Sequence, residues 1–161
     1  MMTRSSLFSE RVSVEQVELG EDFAPRFNAA GLLPAIVVDE KNGQILMLGQ
    51  MNAEALELTI LTRRAHFWSR SRKALWRKGE YSGFIQMVER LLVDDDQDAV
   101  ILLVRVEGPG SCHVGFRSCF YREVDLADTC TARAARLRRI EAAPAFDANA
   151  VYAGLPNPTV L

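Results

Sequence analysis

The chain has 161 residues, 48% of them hydrophobic, with a formal net charge of −2 and an isoelectric point near 5.7. That is enough apolar material for one core of ordinary size. The mild negative balance argues against a general nucleic-acid binder. No 18-residue apolar run is present, which excludes a membrane-spanning helix. The first 23 residues lack the apolar stretch of a secretory leader and carry several acids, so a cytoplasmic protein is expected. Three cysteines, Cys112, Cys119 and Cys130, are too few and odd in number for a disulfide framework.

In chain order, residues 1–25 are polar and irregular and read as an N-terminal extension. Two short apolar runs in LLPAIVVDEKNGQILMLGQ flank Asn42-Gly43, the strongest short-range hairpin signal. Asn52 is an N-cap candidate for a helix through AEALELTILTRR, with Leu56, Ile60 and Arg63 at helical spacing and basic residues in its last turn. AHFWSRSRKALWRKGEYSGF begins extended and loops toward Gly79 and Gly83. Strands are expected in FIQMVERLLV, AVILLVRV and GFRSCFYREV, the second apolar on both faces and therefore central. Thr129 to Ala143 is an Ala/Arg-rich helix candidate closed by Pro144, and the Pro-containing end reads as a loose tail or a strap. The whole is an α+β domain over residues 26–125, antiparallel and hairpin-connected, followed by a C-terminal helix and tail over residues 126–161.

Three constellations carry chemistry. In DDDQD, an extended chain would place Asp94, Asp96 and Asp98 on one side and Asp95 on the other. Like charges about 4 Å apart cost roughly 4 kcal/mol at an effective dielectric of 20, so the trio needs solvent or a cation. Mg²⁺ suits hard oxygen ligands, but a four-residue extended step of about 13 Å is too long for one ion. A solvated hairpin turn is the simpler reading.

In SCHVGFRSC, Cys112 and Cys119 stand seven apart with His113 beside the first. The thiols are either ordinary core residues or two ligands of a Zn²⁺ with an open position, which would generate hydroxide near neutral pH. The third ligand would come from elsewhere, with Asp95 eligible as an oxygen donor. Between Arg63 and Gly79 lie seven Arg and Lys residues and no acid, interleaved with His66, Phe67, Trp68 and Trp76. Guanidinium forks beside flat rings suit a phosphorylated nucleotide, single-stranded nucleic acid or simply a solvated basic face.

These blocks together resemble the phosphoribosyl-AMP cyclohydrolase family, the hydrolases of histidine biosynthesis that open an adenine ring. The resemblance rests on FNAAGLLPAIVVDEKNGQILML, MNAEAL, WSRSRKALWRKGEYSG, DDDQDAVILLV and SCHVGFRSCFYR, in order, over about residues 26–123. It implies an α+β homodimer with active sites at the subunit interface, a zinc ion held by cysteines of both chains, and Mg²⁺ at an acidic motif. Carried over by position, Mg²⁺ falls on Asp94, Asp96 and Asp98, and zinc on Cys112 and Cys119. His113 falls in a proton-transfer position. Nucleotide contacts fall on Arg70, Ser71, Arg72, Trp76, Lys78, Glu80 and Ser82.

Three positions depart from the family pattern. Asp95 stands where the acidic motif has cysteine, Phe84 where a histidine follows Ser-Gly, and Val114 where a threonine follows Cys-His. The resemblance therefore implies a hydrolase opening the N1–C6 bond of phosphoribosyl-AMP, its metal held by Cys112, Cys119 and a partner's carboxylate at Asp95. A carboxylate hardens the site and makes Mn²⁺ or Fe²⁺ more competitive with zinc. Two alternatives stand beside it: a hydrolase or deaminase of another purine nucleotide or heterocycle, and a catalytically degenerate nucleotide-binding dimer. No nucleic-acid or membrane partner is expected.

Overall fold

The Asn-Gly signal does mark a hairpin. In the computed structural model, which describes residues 7–126 and 134–159, β1 (Leu33–Asp39) and β2 (Ile45–Met51) pair antiparallel from Leu33↔Met51 to Val38↔Ile45. The turn is longer than two residues. Gly43 takes φ 75° and its N–H donates to the Asp39 carbonyl at 2.8 Å, with a bulge between Val37 and Val38. Short polar side chains shape it: Asp39 accepts from the Lys41 N–H at 3.0 Å and Asn42 from that of Gln44 at 2.9 Å.

Asn52 caps helix α2 (Ala53–Thr62), its side chain accepting from the Ala55 N–H at 2.9 Å. The helix ends at Arg63, which adopts the left-handed conformation at φ 57°, so Arg63 and Arg64 lie beyond the last turn rather than in it. The following segment is more regular than expected. β3 (His66–Ser69) and β4 (Ala74–Arg77) form a second hairpin, with Phe67 opposite Trp76.

β5 (Gln86–Val93) and β6 (Val100–Val106) form a third hairpin. The main sheet has the order β2-β1-β6-β5, so β6 is central, as its apolar faces require. The sheet is not wholly antiparallel: β1 runs parallel to β6, from Ala35↔Val100 to Asp39↔Val104. That pairing is reached by a long crossover through the second hairpin and α2, the connection parallel strands demand. Leu33, Val37, Leu46, Leu56, Phe67, Leu102 and Val104 form the buried centre beneath it.

Three expectations are corrected at the periphery. The described part of the N-terminal extension contains a helical turn, α1 (Val14–Leu19), capped by Ser13. It is docked on the domain, with the Phe8 ring 6.2 Å from that of Phe27. Of GFRSCFYREV only β7 (Arg122–Val124) is strand, because Gly115 at φ 102° and the bends after it break the extension.

The helix expected over Thr129–Ala143 is absent where the chain is described. Residues 129–133, Cys130 among them, lie outside the described residues. From residue 134 the chain is extended, and β8 (Leu137–Arg139) pairs with β7. Leu137 and Ile140 stay exposed. A helix there would have buried no apolar stripe, and strand pairing satisfies the backbone instead. A last helical turn, α3 (Ala148–Val151), follows Asp147, which caps it. Among the described residues no helix is long and apolar enough to cross a membrane.

Candidate active site

The loop after β6 brings the two thiols together. Backbone bonds from Ser111 to Arg117 (2.9 Å), Cys112 to Phe116 (3.1 Å) and Gly115 to Cys112 (3.0 Å) close it on itself. The Cys119 N–H then donates to the Leu46 carbonyl of β2 at 2.7 Å, fixing the second thiol against the sheet. Cys112 is buried, Cys119 is exposed, and neither is in a disulfide. The two hydrogen-bond to each other. That bond pulls the Cys112 thiol down to about 6 and pushes the Cys119 thiol up.

Lys78 is the cation that faces them. It is buried, and its ammonium donates to the Ser111 carbonyl. Burial lowers its pKa, and the two cysteines act against that shift. Lys78, one of the nucleotide contacts that the resemblance implies, directs its side chain to the thiol loop. Gln86, also buried, supports the same loop by donating to the Ser111 hydroxyl at 3.1 Å.

The basic hairpin leads outward from this point. The Lys78 ammonium lies 5.8 Å and the Arg72 guanidinium 5.9 Å from the Trp76 ring centroid. Arg72 is anchored at the β3–β4 turn by the Ser69 hydroxyl, which accepts from its Nε at 3.2 Å. Arg70 and Ser71 occupy that exposed turn, and Glu80 and Ser82 the turn after β4. A row thus runs from exposed arginines, past an indole, to a buried lysine and two thiols.

His113 lines a cleft of about 500 Å³ with Val114, Pro144, Phe146 and Asn157 among its walls. Its Nε2 is buried without a hydrogen-bond partner. Burial first, then the Lys78 charge, lower its pKa, against a hydrogen bond with the Asn157 side chain. Phe84 packs edge-on to Phe146 at 5.0 Å and fills the space over Gly108, where a Cβ would meet its ring at 2.5 Å.

The aspartates do not lie on an extended chain. Residues 94–99 form a tight turn with Gln97 at φ 59°. Asp94 accepts from the N–H groups of Asp98 (2.9 Å) and Ala99 (3.0 Å). Asp96 and Asp98 are both ion-paired to Arg26. Asp94, Asp95 and Asp96 each offer an oxygen within 4.8 Å of the others. The alternation that separated Asp95 from its neighbours is therefore removed by the turn.

Sequence reasoning missed the residues that hold these loops. Glu141 accepts from the backbone N–H groups of Arg117 and Ser118, both at 3.0 Å. Arg117 pairs with buried Asp39. Buried Gln97 ties the aspartate turn to the N-terminal segment through Ala24 N–H (2.8 Å) and the Val17 carbonyl (2.9 Å). A single polar residue in a loop carries no periodic signal, so only the tertiary contact distinguishes it.

Residues 47–121 match the family model described as phosphoribosyl-AMP cyclohydrolase. A Brucella canis protein of that name is 58% identical over 109 residues, covering 67% of this chain and 78% of the relative. A Caulobacter vibrioides protein of the same name is 54% identical over 122 residues, covering 75% and 88% respectively. The chain belongs to the phosphoribosyl-AMP cyclohydrolase family. The cyclohydrolase match takes in β2 through the thiol loop and leaves the C-terminal strap, residues 134–159, outside it.

Proposed function

We propose that this chain is a hydrolase of histidine biosynthesis that opens the adenine ring of phosphoribosyl-AMP at N1–C6. The observation that carries the reading is the thiol pair Cys112 and Cys119, with His113 and Lys78 beside it, in a chain 58% identical to a relative bearing that name. Hydrolysis places the water oxygen on C6, which becomes a carboxamide carbon, and a proton on N1 as the ring bond breaks. His113 has an unbonded ring nitrogen at the cleft and is the group to move that proton. Trp76 offers a face for the base, and Arg70 and Arg72 offer forks for phosphate at the exposed turn. Glu80 and Ser82, in the turn after β4, complete the proposed nucleotide contacts with Ser71 and Lys78.

The donor set fits a thiophilic divalent ion: Cys112 is driven toward thiolate, and Lys78 favours that charge. Such an ion, zinc or Mn²⁺ or Fe²⁺ in its place, would supply a water acidified to near neutral pH. Within one chain Asp95 sits at the opposite end of β6 from Cys112. Seven residues of strand amount to about 23 Å. Its carboxylate can complete the ligand set only from a second subunit, which is why we assign a homodimer with shared sites. Mg²⁺ on Asp94, Asp96 and Asp98 would have to displace Arg26, and no step of the proposed reaction runs through it.

The test is turnover of phosphoribosyl-AMP, followed by its ultraviolet change, on protein stripped of metal and re-supplied with Zn²⁺, Mn²⁺ or Fe²⁺. Activity with one of these ions is expected, and Cys119→Ser should abolish it. A folded protein silent with all three sinks the reading. The apolar Phe84–Phe146 pair favours one rival, a different purine substrate, and turnover of another nucleotide in the same screen would establish it.

A further inference from the structure

The aspartate turn is covered by the chain's own N-terminal segment. The Arg26 N–H donates to the Gln97 carbonyl at 2.7 Å, which sets this residue against the turn. From there its guanidinium reaches both Asp96 and Asp98. Arg11 adds a second contact, Nη2 donating to the Asp96 carbonyl at 3.0 Å and Nη1 to the Ala24 carbonyl at 2.5 Å. Gln97 returns the grip: its amide accepts from the Ala24 N–H and donates to the Val17 and Asp22 carbonyls. An isolated surface ion pair contributes little, because two long side chains must be held in one geometry. Here a backbone bond already fixes the arginine, and one guanidinium spans two carboxylates.

A divalent ion on Asp94, Asp96 and Asp98 fits these residues poorly. Mg²⁺ demands a near-octahedral shell of oxygens at about 2.1 Å. One Asp94 oxygen already accepts the N–H groups of Asp98 and Ala99. The Asp96 and Asp98 carboxylates are turned to Arg26. Among the described residues, the acids whose oxygens gather are Asp94, Asp95 and Asp96, which leaves Asp98 out. Asp95 is also the carboxylate proposed to reach the thiols of a second subunit. Crowded carboxylates need a counter-charge or solvent. The guanidinium supplies that charge, and it stays protonated throughout the pH range of a folded protein.

We infer that Arg26 is the resident cation of the aspartate turn, which anchors the N-terminal segment instead of binding Mg²⁺. The acids are a docking site for residues 11–26, with Arg26 as the charged peg and Gln97 as the amide clasp. They add no metal requirement to that of the thiols. This role goes beyond the proposed reaction and does not depend on it, so it is read on folding rather than on turnover.

Urea midpoints with and without about 10 mM Mg²⁺, at matched ionic strength, test it. That concentration is roughly 100-fold above the Kd of a site of about 0.1 mM, and binding to the native state alone raises the midpoint. The wild-type midpoint should not move. Arg26→Ala should lower the midpoint and speed amide exchange over residues 14–26, and Mg²⁺ should restore part of the loss by entering the vacated turn. Adding Asp96→Asn to Arg26→Ala should remove that response. Arg26→Lys, a point charge that cannot span both carboxylates, should fall between wild type and Arg26→Ala. A wild-type midpoint that rises with Mg²⁺, the rise being abolished by Asp96→Asn, would overturn the assignment. So would an Arg26→Ala protein with the wild-type midpoint and unchanged exchange over residues 14–26.

Discussion

Glu141→Ala should cost about 3 kcal/mol of folding stability, a large effect for a half-buried residue near a chain end. The figure follows from its contacts. The carboxylate accepts from Arg117 N–H and Ser118 N–H, both at 3.0 Å, and from the Gln44 side chain at 3.3 Å. Hydrogen bonds to a charged group are worth about 1.5–3 kcal/mol each. Partial exposure sets the two backbone bonds at the low end, about 1.5 kcal/mol apiece, and the long third bond adds little. Glu141→Gln keeps one acceptor and turns an amide N–H₂ toward the other donor, so about half the loss is expected. Urea titration with an unchanged slope is the assay. A Glu141→Ala loss under about 0.5 kcal/mol would show that water replaces the carboxylate freely. The strap would then not be holding the segment that carries Cys119.

Other consequences are checkable in the same way. Gln97→Ala orphans the Ala24 N–H and the Val17 and Asp22 carbonyls. It should cost about 2 kcal/mol in a urea melt and raise hydrogen exchange across residues 14–26. Leu102→Ala, fully buried on the central strand, should cost about 2–5 kcal/mol and lower Tm accordingly. Burial holds both His66 and His113 below the usual 6.5. The unfolded chain therefore takes up protons first, and stability present above pH 6.5 should decline as pH falls below it. Urea midpoints measured from pH 7.5 to 5 should show that decline, flattened in part by His66→Gln.

The parts of this fold legible in the sequence are those governed by short-range rules. Asn42-Gly43 announced the first hairpin, Asn52 the start of α2, and the apolar run Val100–Val104 the middle of the sheet. The parallel pairing of β1 with β6 was hidden because no local signal tells which strand a buried run will lie beside. The Ala/Arg composition after residue 128 suggested a helix, since propensity is read without knowing that β7 offers an unpaired edge. At the site, the residue types were legible and their arrangement was not. Alternation put Asp95 across from its neighbours, whereas a turn at Gln97 gathers Asp94, Asp95 and Asp96. Lys78 stood in the sequence as one of seven basic residues between Arg63 and Gly79 and, by the resemblance, as a nucleotide contact, and only the tertiary structure buries it beside the thiols.

The separation of the aspartate turn and the thiol loop by the length of β6 has a genetic corollary. If one catalytic centre draws on both, each polypeptide contributes the carboxylate of one centre and the thiols of the other. Two defective alleles, one altered at Asp95 and one at Cys112, would then not be equivalent. Co-expressed, they form mixed dimers in which both defects fall on the same centre and the second centre is left whole. Two genes that each encode a dead enzyme would together sustain growth without histidine, whereas two alleles altered at the same end would not.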